Sequence, residues 1–532
     1  MPDAPYTWLS LLPSIIAITL ALLTRRVILS LLAGVLLGAL ILADGHPLRA
    51  VDVAVIQHLW PSLTDADHLS VFAFTLMMGA MVGVIHQSGG MHGVVDAMSR
   101  WARTRRGGQL AVWLLGLVVF FDDYANTLLL GTTMQPLTDR LRISREKLAY
   151  IVDSTAAPVA GLALVSTWVA GEIGYIEAGL AGLQFAGPEV NGLQLFVASI
   201  PYRFYVLWAL LLVGLVAFLR RDFGPMLAAE KRACGAGDSS SLATRRSPLA
   251  WGVLKPDVPR RWPNAIVPIA VCISTIIAVL AMTGTDVVAA DPELSLSLVN
   301  IFGHADSYSS MVYGSLSGLL VAGLLAAAQR ILSMVQLLRA AGSGAAWMLT
   351  SLAILWMAWT LSGMTGQDQL GTGVYLGGII SRAITPSWLP TIVFLLASAV
   401  AFATGTSWGT MALLMPLVIR TTHAVLGGAA APVSPHDPIF VCCIGGVLAG
   451  AIFGDHCSPI SDTTVLSSQA SGCELAAHVW TQLPYALLAG FVAVVCGTLL
   501  VGGGISVWVA LPSGTVVLVI AVLLCGRDAE RP

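Results

Sequence analysis

Apolar runs long enough to cross a bilayer recur along most of this chain of 532 residues. The first two, 8–23 and 27–43, are separated only by Thr24, Arg25 and Arg26. Only 11% of the residues are charged, whereas about a quarter are charged in a typical soluble chain. Because a membrane-spanning helix needs roughly 17–25 mostly apolar residues, the sequence predicts an all-α polytopic membrane protein with about 11–13 transmembrane helices.

The distribution of lysine and arginine predicts how the chain is oriented. Basic residues near span ends mark the cytoplasmic side of a membrane, and they cluster at 25–26, 100–106, 140–147 and 220–261. The connections 44–69 and 284–309 are acidic instead. We therefore expect a multi-pass protein of the cell membrane with its N-terminus outside and with the loop 220–262 and the C-terminus in the cytoplasm. The lipid bilayer is its expected partner, and no feature calls for nucleic acid.

One apolar segment breaks the alternation of inside and outside. Residues 109–138 carry the polar group "DDYANT" (122–127) in their middle and have basic clusters on both flanks. A single crossing would place one of these clusters outside. A re-entrant hairpin that turns at the polar tip keeps both basic clusters on the cytoplasmic side. Non-helical backbone at that depth must be shielded by protein or line a water-filled cavity.

The second half of the chain repeats this plan. The segment "DDYANTLLLGTTMQPL" (122–137) aligns with "FATGTSWGTMALLMPL" (402–417), and "STAAPVAGLALVST" (154–167) aligns with "DHCSPISDTTVLSS" (455–468), which pairs Pro158 with Pro459. We predict an inverted repeat in 1–219, a basic linker loop in 220–262, a second repeat in 263–502, and an extra transmembrane helix with a short tail in 503–532. Two repeats of opposite topology, each with a re-entrant hairpin and a broken helix, are typical of secondary transporters.

Several carboxylates lie inside these interrupted segments. An aspartate at a helix centre costs roughly 2.5–3.5 kcal/mol on insertion scales, so such residues indicate function. Hydroxyl and amide oxygens beside them suit a hard cation such as Na⁺. A buried carboxylate that holds either a proton or a cation, but not both, is sufficient for exchange.

The predicted cation- and proton-binding residues are those of the polar segments and their surroundings. They are Asp122, Asp123, Asn126, Thr127, Asp153, Ser154, Thr404, Thr406, Ser407, Asp455, His456, Ser458, Ser461, Asp462 and Thr463. We expect Na⁺, as the transported or coupling ion, at a subset of Asp123, Asn126, Thr406, Asp455 and Asp462. No other cofactor is predicted.

Other functions fit these residues less well. Polar side chains in helical bundles often only hold helices together, which is the competing interpretation of each serine and threonine. Asp455, His456 and Ser458 contain the elements of a hydrolytic triad, but they are nearly consecutive, and the chain has no G-x-S-x-G motif. An intramembrane hydrolase is therefore a remote alternative. A channel is disfavoured because inverted halves with paired breaks imply two alternately exposed faces.

Four segments resemble the NhaC-type Na⁺/H⁺ antiporter family of the ion transporter superfamily. They are "FFDDYANTLLLGTTMQPLTD", "DSTAAPVAGLALVSTWVAGEIGYI", "TGTSWGTMALLMPL" and "FGDHCSPISDTTVLSSQASGCELAAHVWTQLPYA". The resemblance implies two inverted repeats and cation-coupled transport, with the motifs 122–127 and 455–464 near the site. It also makes a homodimer plausible. A Na⁺/H⁺ antiporter working by alternating access is the expected function.

The substrate is less constrained than the family. Similar family members include Na⁺/H⁺ exchangers, a type that exchanges malate for lactate, and proteins proposed to import lysine or methionine. An arginine within the motifs would favour an organic anion as substrate, but Arg203 and Arg382 are expected near span ends. Glu172 and Glu177 are expected in an interfacial loop. This pattern favours an inorganic cation, with a Na⁺- or H⁺-coupled transporter of a small organic substrate as the alternative.

Overall fold

The computed structural model describes residues 7–24, 26–99, 102–120, 122–164, 166–186, 190–235, 258–290, 301, 305–366, 368–372, 375, 385–427, 433–459 and 461–530. This part of the chain is helical, and its strand-like pairing is limited to the isolated bridges Phe185–Val433 and Asp222–Arg527.

The α-helices are, in chain order, α1 (Leu12–Thr24), α2 (Val27–Leu42), α3 (Pro47–Asp52), α4 (Trp60–Thr64), α5 (Ala66–Gln87), α6 (Gly90–Ser99), α7 (Arg105–Val118), α8 (Asp123–Arg140), α9 (Arg145–Leu162), α10 (Val169–Leu180), α11 (Gly192–Ser199), α12 (Phe204–Leu219), α13 (Gly224–Gly235), α14 (Pro263–Ala290), α15 (Ser307–Ala328), α16 (Met334–Trp347), α17 (Leu349–Met364), α18 (Leu389–Thr404), α19 (Ser407–Leu426), α20 (Pro438–Cys457), α21 (Asp462–Ala470), α22 (Leu475–Val492), α23 (Leu499–Gly502) and α24 (Val507–Cys525). Short 3₁₀ helices occur at Trp8–Leu11, Ile200–Tyr202 and Pro386–Trp388, and π-helical stretches occur at Val53–Leu59 and Ala493–Thr498.

The helices have the length and composition of membrane spans. Within the described ranges, nine are long and apolar enough to cross a bilayer, or ten if α11 and α12, bent by 50° at Arg203, form one span. Two shorter apolar helices, Trp8–Leu20 and Ile28–Leu42, precede them. The protein is an all-α, multi-pass membrane protein, as the apolar runs predict.

Helix α20 lies at the centre of the bundle and depends on glycine for its close packing. It is far more buried than the peripheral helices α14 and α24, whose apolar side chains face outward. A Cβ atom on Gly450 would lie 2.5 Å from the carbonyl oxygen of Phe394 on α18. Small residues let membrane helices approach this closely, and α20 brings its C-terminal end, with Asp455, into the interior.

The same order of elements occurs twice. Helix α7 ends at Val118 and α8 begins at Asp123, and α9 ends at Leu162 before α10 begins at Val169. Correspondingly, α18 ends at Thr404 and α19 begins at Ser407, and α20 ends at Cys457 before α21 begins at Asp462. The second interruption lies inside the predicted tip 402–407, whereas the first precedes the predicted tip 122–127, which is helical from Asp123 onward. At the second tip Gly405 has φ +70°, a left-handed conformation that glycine adopts without strain. The opposite topology of the two halves stays a prediction.

The residue pairing predicted at the second break is not reproduced. Pro158 lies inside α9, in its last turn, whereas Pro459 lies between α20 and α21. The first half breaks only after Leu162, and proline is tolerated within transmembrane helices.

The predicted linker loop 220–262 is partly helical. Helix α13 packs against the core through Met226, Ala229 and Glu230, which share one face. The rest of the linker, 236–257, lies outside the described residues.

Candidate functional site

The break between α20 and α21 positions the second polar motif. Asp455 is buried in the last turn of α20, and Oδ2 of its carboxylate accepts a 2.7 Å hydrogen bond from Thr463. Ser461 caps α21 by accepting from the backbone N–H of Thr464 at 3.4 Å. Ser458 donates to the carbonyl oxygen of Phe402 at 2.8 Å. The hydroxyl groups of this motif therefore hold the break open and reach Asp455 directly.

Asp153 on α9 is wholly buried and accepts hydrogen bonds from α21 and α22. Its Oδ1 accepts from Ser467 at 3.0 Å, and its Oδ2 accepts from the amide nitrogen of Gln482 at 2.6 Å. The hydroxyl of Thr464 lies 3.2 Å from Oδ2, and Nε2 of His478 lies 3.3 Å from it. Helix α9 thus contributes one carboxylate to a site whose other members come from the far end of the chain.

Two further contacts join Asp153 to the α20 break. The Thr464 hydroxyl lies 3.4 Å from the carbonyl oxygen of Asp455, and the Gln482 amide donates to the carbonyl oxygen of His456 at 3.0 Å. Nδ1 of His456 lies 2.8 Å from the Tyr205 hydroxyl. We call the set Asp153, Asp455, His456, Thr463, Thr464, Ser467, His478 and Gln482 the Asp153 cluster.

Four members of the Asp153 cluster are absent from the predicted set: Thr464, Ser467, His478 and Gln482. Ser467 lies one helical turn beyond Thr463 on α21. His478 and Gln482 are four residues apart on α22, so they share one helix face. That spacing within the motif "AAHVWTQLPYA" was the signal available in the sequence.

The first hairpin tip forms a separate polar group. Oδ2 of Asp122 accepts from Thr167 at 3.0 Å, in the break that follows α9, and Asp123 is buried beside it. Asn126 donates to the carbonyl oxygens of Gly116, Val119 and Thr155 at 2.9, 3.0 and 3.2 Å. Within the described structure, the buried Oδ1 of Asn126 and Oγ1 of Thr127 have no hydrogen-bond partner. These two oxygens are available to a ligand.

The second hairpin tip is held by backbone contacts. Thr404 donates to Val400 O at 2.8 Å, Thr406 caps α19 by accepting from Gly409 N at 3.3 Å, and Ser407 donates to Ala451 O at 3.3 Å. None of these bonds is to a carboxylate, so the three hydroxyls secure the tip. Ser154 is buried in α9. The side chain of Asp462 lies outside the described part of the structure.

Glu172 and Arg203 form a buried ion pair, contrary to the expectation that Glu172 lies in an interfacial loop; Arg203 lies at the start of α12, at a helix end as expected. Oε2 of Glu172 lies 2.8 Å from Nη1 of Arg203, and each side chain is 1% exposed. Arg203 also donates to the carbonyl oxygen of Gly161 and to Ser199 Oγ. The expectation for Glu172 was wrong because the residue lies inside α10 and shares Arg203 with the end of α9. Arg382 lies outside the described residues.

A second charged group lies at the N-terminal end of α9, outside the membrane spans. Nζ of Lys147 lies 2.6 Å from Oδ1 of Asp222, which also accepts from the Tyr485 hydroxyl at 2.8 Å. Nearby, Glu230 accepts from Ser144 N at 2.7 Å and from Arg105 at 2.5 Å. Burial, followed by repulsion from Asp222, raises the pKa of Glu230 although Lys147 and Arg105 oppose the shift.

Comparison with known proteins agrees with the described architecture. The chain is 34% identical over 525 residues to an uncharacterized protein of Haemophilus influenzae, covering 96% of this chain and 95% of that one. A malate-2H⁺/Na⁺-lactate antiporter of Bacillus subtilis is 35% identical over 126 residues, or 21% of this chain and 25% of that one. The fold is similar to the YdaH transporter of Alcanivorax borkumensis, with a TM-score of 0.55, 15% identity, and coverage of 88% of this chain and 90% of that one.

A family model gives the assignment. Residues 159–502 match the model described as the Na⁺/H⁺ antiporter family. The match contains the breaks after α9 and α20 and all of α22, and it begins after Asp122 and Asp153. Its members are secondary transporters, so the protein is a transporter and not an enzyme. This chain belongs to the Na⁺/H⁺ antiporter family.

Proposed function

We propose that the protein exchanges Na⁺ for H⁺ by alternating access, with the two ions competing for Asp153 and Asp455. The observation that carries the proposal is the Asp153 carboxylate, which is wholly buried, receives hydrogen bonds from α21 and α22, and is linked through Thr464 to the backbone of Asp455. Two carboxylates at one helix break form the kind of site that an ion-coupled transporter requires.

The charge of Asp153 supports competition between a cation and a proton. An ionised carboxylate in a membrane interior is costly unless it is neutralised. In the described part of the chain, the basic side chain in ion-pair contact with Asp153 is His478, at 3.3 Å, and it is charged only when protonated. A proton or a Na⁺ ion neutralises the same carboxylate, so binding one weakens binding of the other.

The oxygen atoms of the Asp153 cluster suit Na⁺. Hard cations prefer carboxylate, carbonyl and hydroxyl oxygens, and Thr464 and Ser467 place hydroxyls on Asp153. Oε1 of Gln482 is buried without a hydrogen-bond partner among the described residues, although its amide nitrogen is fully used. We assign this oxygen as a neutral ligand of the ion. The break after Cys457 frees backbone carbonyls that act in the same way.

The alternative, a Na⁺- or H⁺-coupled carrier of a small organic substrate, requires different chemistry. An organic anion calls for a cation with hydrogen-bond donors to spare. The charge of Arg203 is paired with Glu172. The buried Arg420 donates to the carbonyl oxygens of Ala178 and Ser362, at 2.8 and 2.7 Å, near the ends of α10 and α17. Both arginines are engaged, which favours the inorganic ion.

The test uses purified protein in sealed liposomes that contain a pH-sensitive dye. An imposed Na⁺ gradient should move protons in the opposite direction, and Asp153→Asn or Asp455→Asn should abolish this movement. Asp139→Asn is the matched control, because Asp139 lies exposed at the end of α8, and among the described residues its carboxylate pairs with Arg145 at 3.4 Å. A silent dye together with Na⁺-driven uptake of a labelled amino acid or dicarboxylate would overturn the proposal.

A further inference from the structure

The guanidinium group of Arg203 is enclosed by oxygen atoms from three helices. Its Nη1 lies 2.8 Å from Oε2 of Glu172 on α10 and also donates to the carbonyl oxygen of Gly161 on α9. Its Nη2 donates to Ser199 Oγ at 3.1 Å and to Phe196 O at 3.4 Å, both on α11, and its Nε lies 3.3 Å from Ser199 Oγ. These five bonds use every N–H group of the side chain. We call Gly161, Glu172, Phe196 and Ser199 the Glu172 cage.

The Glu172 cage has the composition of a cation site. It presents one carboxylate, two backbone carbonyl oxygens and one hydroxyl, and the ring of Phe196 lies 4.4 Å from the guanidinium carbon. Carboxylate, carbonyl and hydroxyl oxygens are ligands of hard cations, and the face of an aromatic ring attracts a positive charge. Glu172 is 1% exposed, and Ser199 and Phe196 are completely buried. An ionised carboxylate in this position requires a positive charge beside it.

The contact between Arg203 and Glu172 leaves one oxygen of the cage unused. Oε1 of Glu172 is buried and, among the described residues, has no hydrogen-bond partner. It lies close to Gly161, where an added Cβ would be 3.0 Å from it. The guanidinium is held by its own side chain at the bend between α11 and α12 and contacts Oε2, whereas a diffusible cation is free to contact both oxygens. The cage therefore offers a ligand atom that its present occupant does not use.

The Glu172 cage and the Asp153 cluster are built from corresponding elements. In the order of helices that occurs twice, α9 and α10 correspond to α20 and α21, and the bent pair α11–α12 corresponds to α22. In the Asp153 cluster, the carbonyl oxygens of Asp455 and His456 at the end of α20 meet side chains of α21 and α22. In the Glu172 cage, the carbonyl oxygen of Gly161 at the end of α9 meets Arg203, which also contacts α10. An oxygen-rich site thus lies at each of the two breaks.

We infer that the Glu172 cage is a second cation site, and that the guanidinium of Arg203 is its covalently attached occupant. Because this charge cannot leave, the cage stays neutralised throughout the transport cycle, and Na⁺ is confined to the Asp153 cluster. Arg203 is accordingly a specificity-determining residue that limits exchange to one of the two sites. The statement about Na⁺ rests on the proposed function, whereas the existence of the cation site does not.

Chemical rescue tests the cage. Arg203→Ala should unfold in detergent at a lower temperature than the wild type, because Glu172 loses its partner. Guanidinium chloride, at concentrations far below those that denature proteins, should raise the unfolding temperature of this variant until the cage is saturated. It should not raise that of the wild type, in which the cage is filled. Urea has the same planar shape without the charge and should have no such effect. No increase with guanidinium, or an equal increase with urea, would overturn the inference.

Glu172→Gln/Arg203→Ala is the matched control, because it lacks both charges. Guanidinium should leave its unfolding temperature unchanged, and a rise equal to that of Arg203→Ala would place the bound cation elsewhere and refute the cage. Should Arg203→Ala fail to fold, Arg203→Lys and Arg203→Gln decide the question. The lysine variant keeps an attached cation and should unfold well above the glutamine variant. Equal unfolding temperatures, or two unfolded proteins, would contradict the inference.

Equilibrium dialysis against radioactive Na⁺ tests the confinement of Na⁺ and separates it from the proposed function. Arg203→Ala should bind about twice as much Na⁺ at saturation as the wild type, one ion in each site, and guanidinium should displace the additional ion. Unchanged Na⁺ binding in Arg203→Ala would show that Arg203 does not confine Na⁺. If Asp153→Asn leaves the Na⁺ binding of the wild type intact, the proposed function fails at Asp153, while the guanidinium response still decides whether the cage is a cation site.

Discussion

Nζ of Lys147 lies 2.6 Å from Oδ1 of Asp222, and the lysine is completely buried. Lys147 is on the same helix as Asp153, nearer its N-terminus, and Asp222 follows α12. Tyr485, on the helix that carries Gln482, donates to the same Asp222 oxygen. The pair therefore fixes α9 and α22 to each other at the edge of the membrane, beyond the Asp153 cluster.

Lys147→Met should destabilise the protein strongly, because Asp222 would keep a buried charge without its partner. We expect a loss of about 3–5 kcal/mol, and recovery of most of it in the double variant Lys147→Met/Asp222→Leu. Thermal unfolding in detergent measures both. Arg232→Ala is the control: its contact with Glu146 is at the surface, and such pairs contribute about 0–1 kcal/mol. Equal losses in the two single variants would contradict the prediction.

The stability of the protein should depend on pH through Glu230. Because the pKa of Glu230 is raised by burial and by Asp222, the folded protein binds this proton more tightly than the unfolded chain does. Stability from this group is therefore gained as pH falls through the folded pKa and is complete below the ordinary value of a glutamate. Glu230→Gln mimics the protonated form. It should match the wild type in thermal unfolding at acidic pH and exceed it at alkaline pH; parallel curves at all pH values would refute the role of Glu230.

Gln482→Leu should impair ion binding more than folding. The variant removes the amide that donates to Asp153 and to the His456 carbonyl oxygen, together with the neutral oxygen assigned to Na⁺. We expect the Na⁺ concentration for half-maximal exchange in liposomes to rise at least about tenfold, which corresponds to about 1.4 kcal/mol.

Thr481→Val provides the comparison for Gln482→Leu. Thr481 is adjacent on α22, and in the described part of the chain its hydroxyl donates within that helix, to Ala477 O or His478 O. Its Na⁺ dependence should remain that of the wild type. A similar change in both variants would indicate a general effect on α22 instead of a role for the Gln482 amide.

Gly131→Ala should separate α8 from α21. A Cβ atom at Gly131 would lie 2.5 Å from Cβ of Ala470 and 2.9 Å from its carbonyl carbon, so the helices must shift. Overpacking of this kind costs about 1–3 kcal/mol, and we expect both a lower unfolding temperature and slower exchange. Gly342→Ala, where a Cβ meets nothing within 4 Å, should change neither. Wild-type exchange in Gly131→Ala would show that α8 and α21 tolerate the shift.

Much of the helical framework was predictable because it depends on local pattern. Apolar runs identify helices of membrane length, and clustered polar residues, accompanied in the second case by Gly405, mark the segments 122–127 and 402–407. The central position of α20 was not predictable from hydropathy, since lipid-facing and protein-facing helices are equally apolar.

The candidate site was predictable only where its residues lie in motifs. Asp153 and Asp455 stood out because a carboxylate in an apolar helix is costly. Their partners did not, because contacts between Asp153 and Ser467 or Gln482 join residues 314 and 329 positions apart. A serine in a helix looks the same in the sequence whether it donates to a backbone carbonyl or to a distant carboxylate. Glu172 was misplaced for a similar reason, since its partner Arg203 lies 31 positions away.

The ion pair between Glu172 and Arg203 limits the substitutions that these two positions can accept during evolution. Arg203 occupies the 50° bend between α11 and α12 and also donates to the end of α9. Loss of either charge alone leaves the other buried without a partner of opposite charge, which is strongly destabilising. We therefore expect selection against single substitutions at these two positions. Descendants of this gene should keep both residues or replace both, and a genetic screen for suppressors of a defect at one position should recover changes at the other.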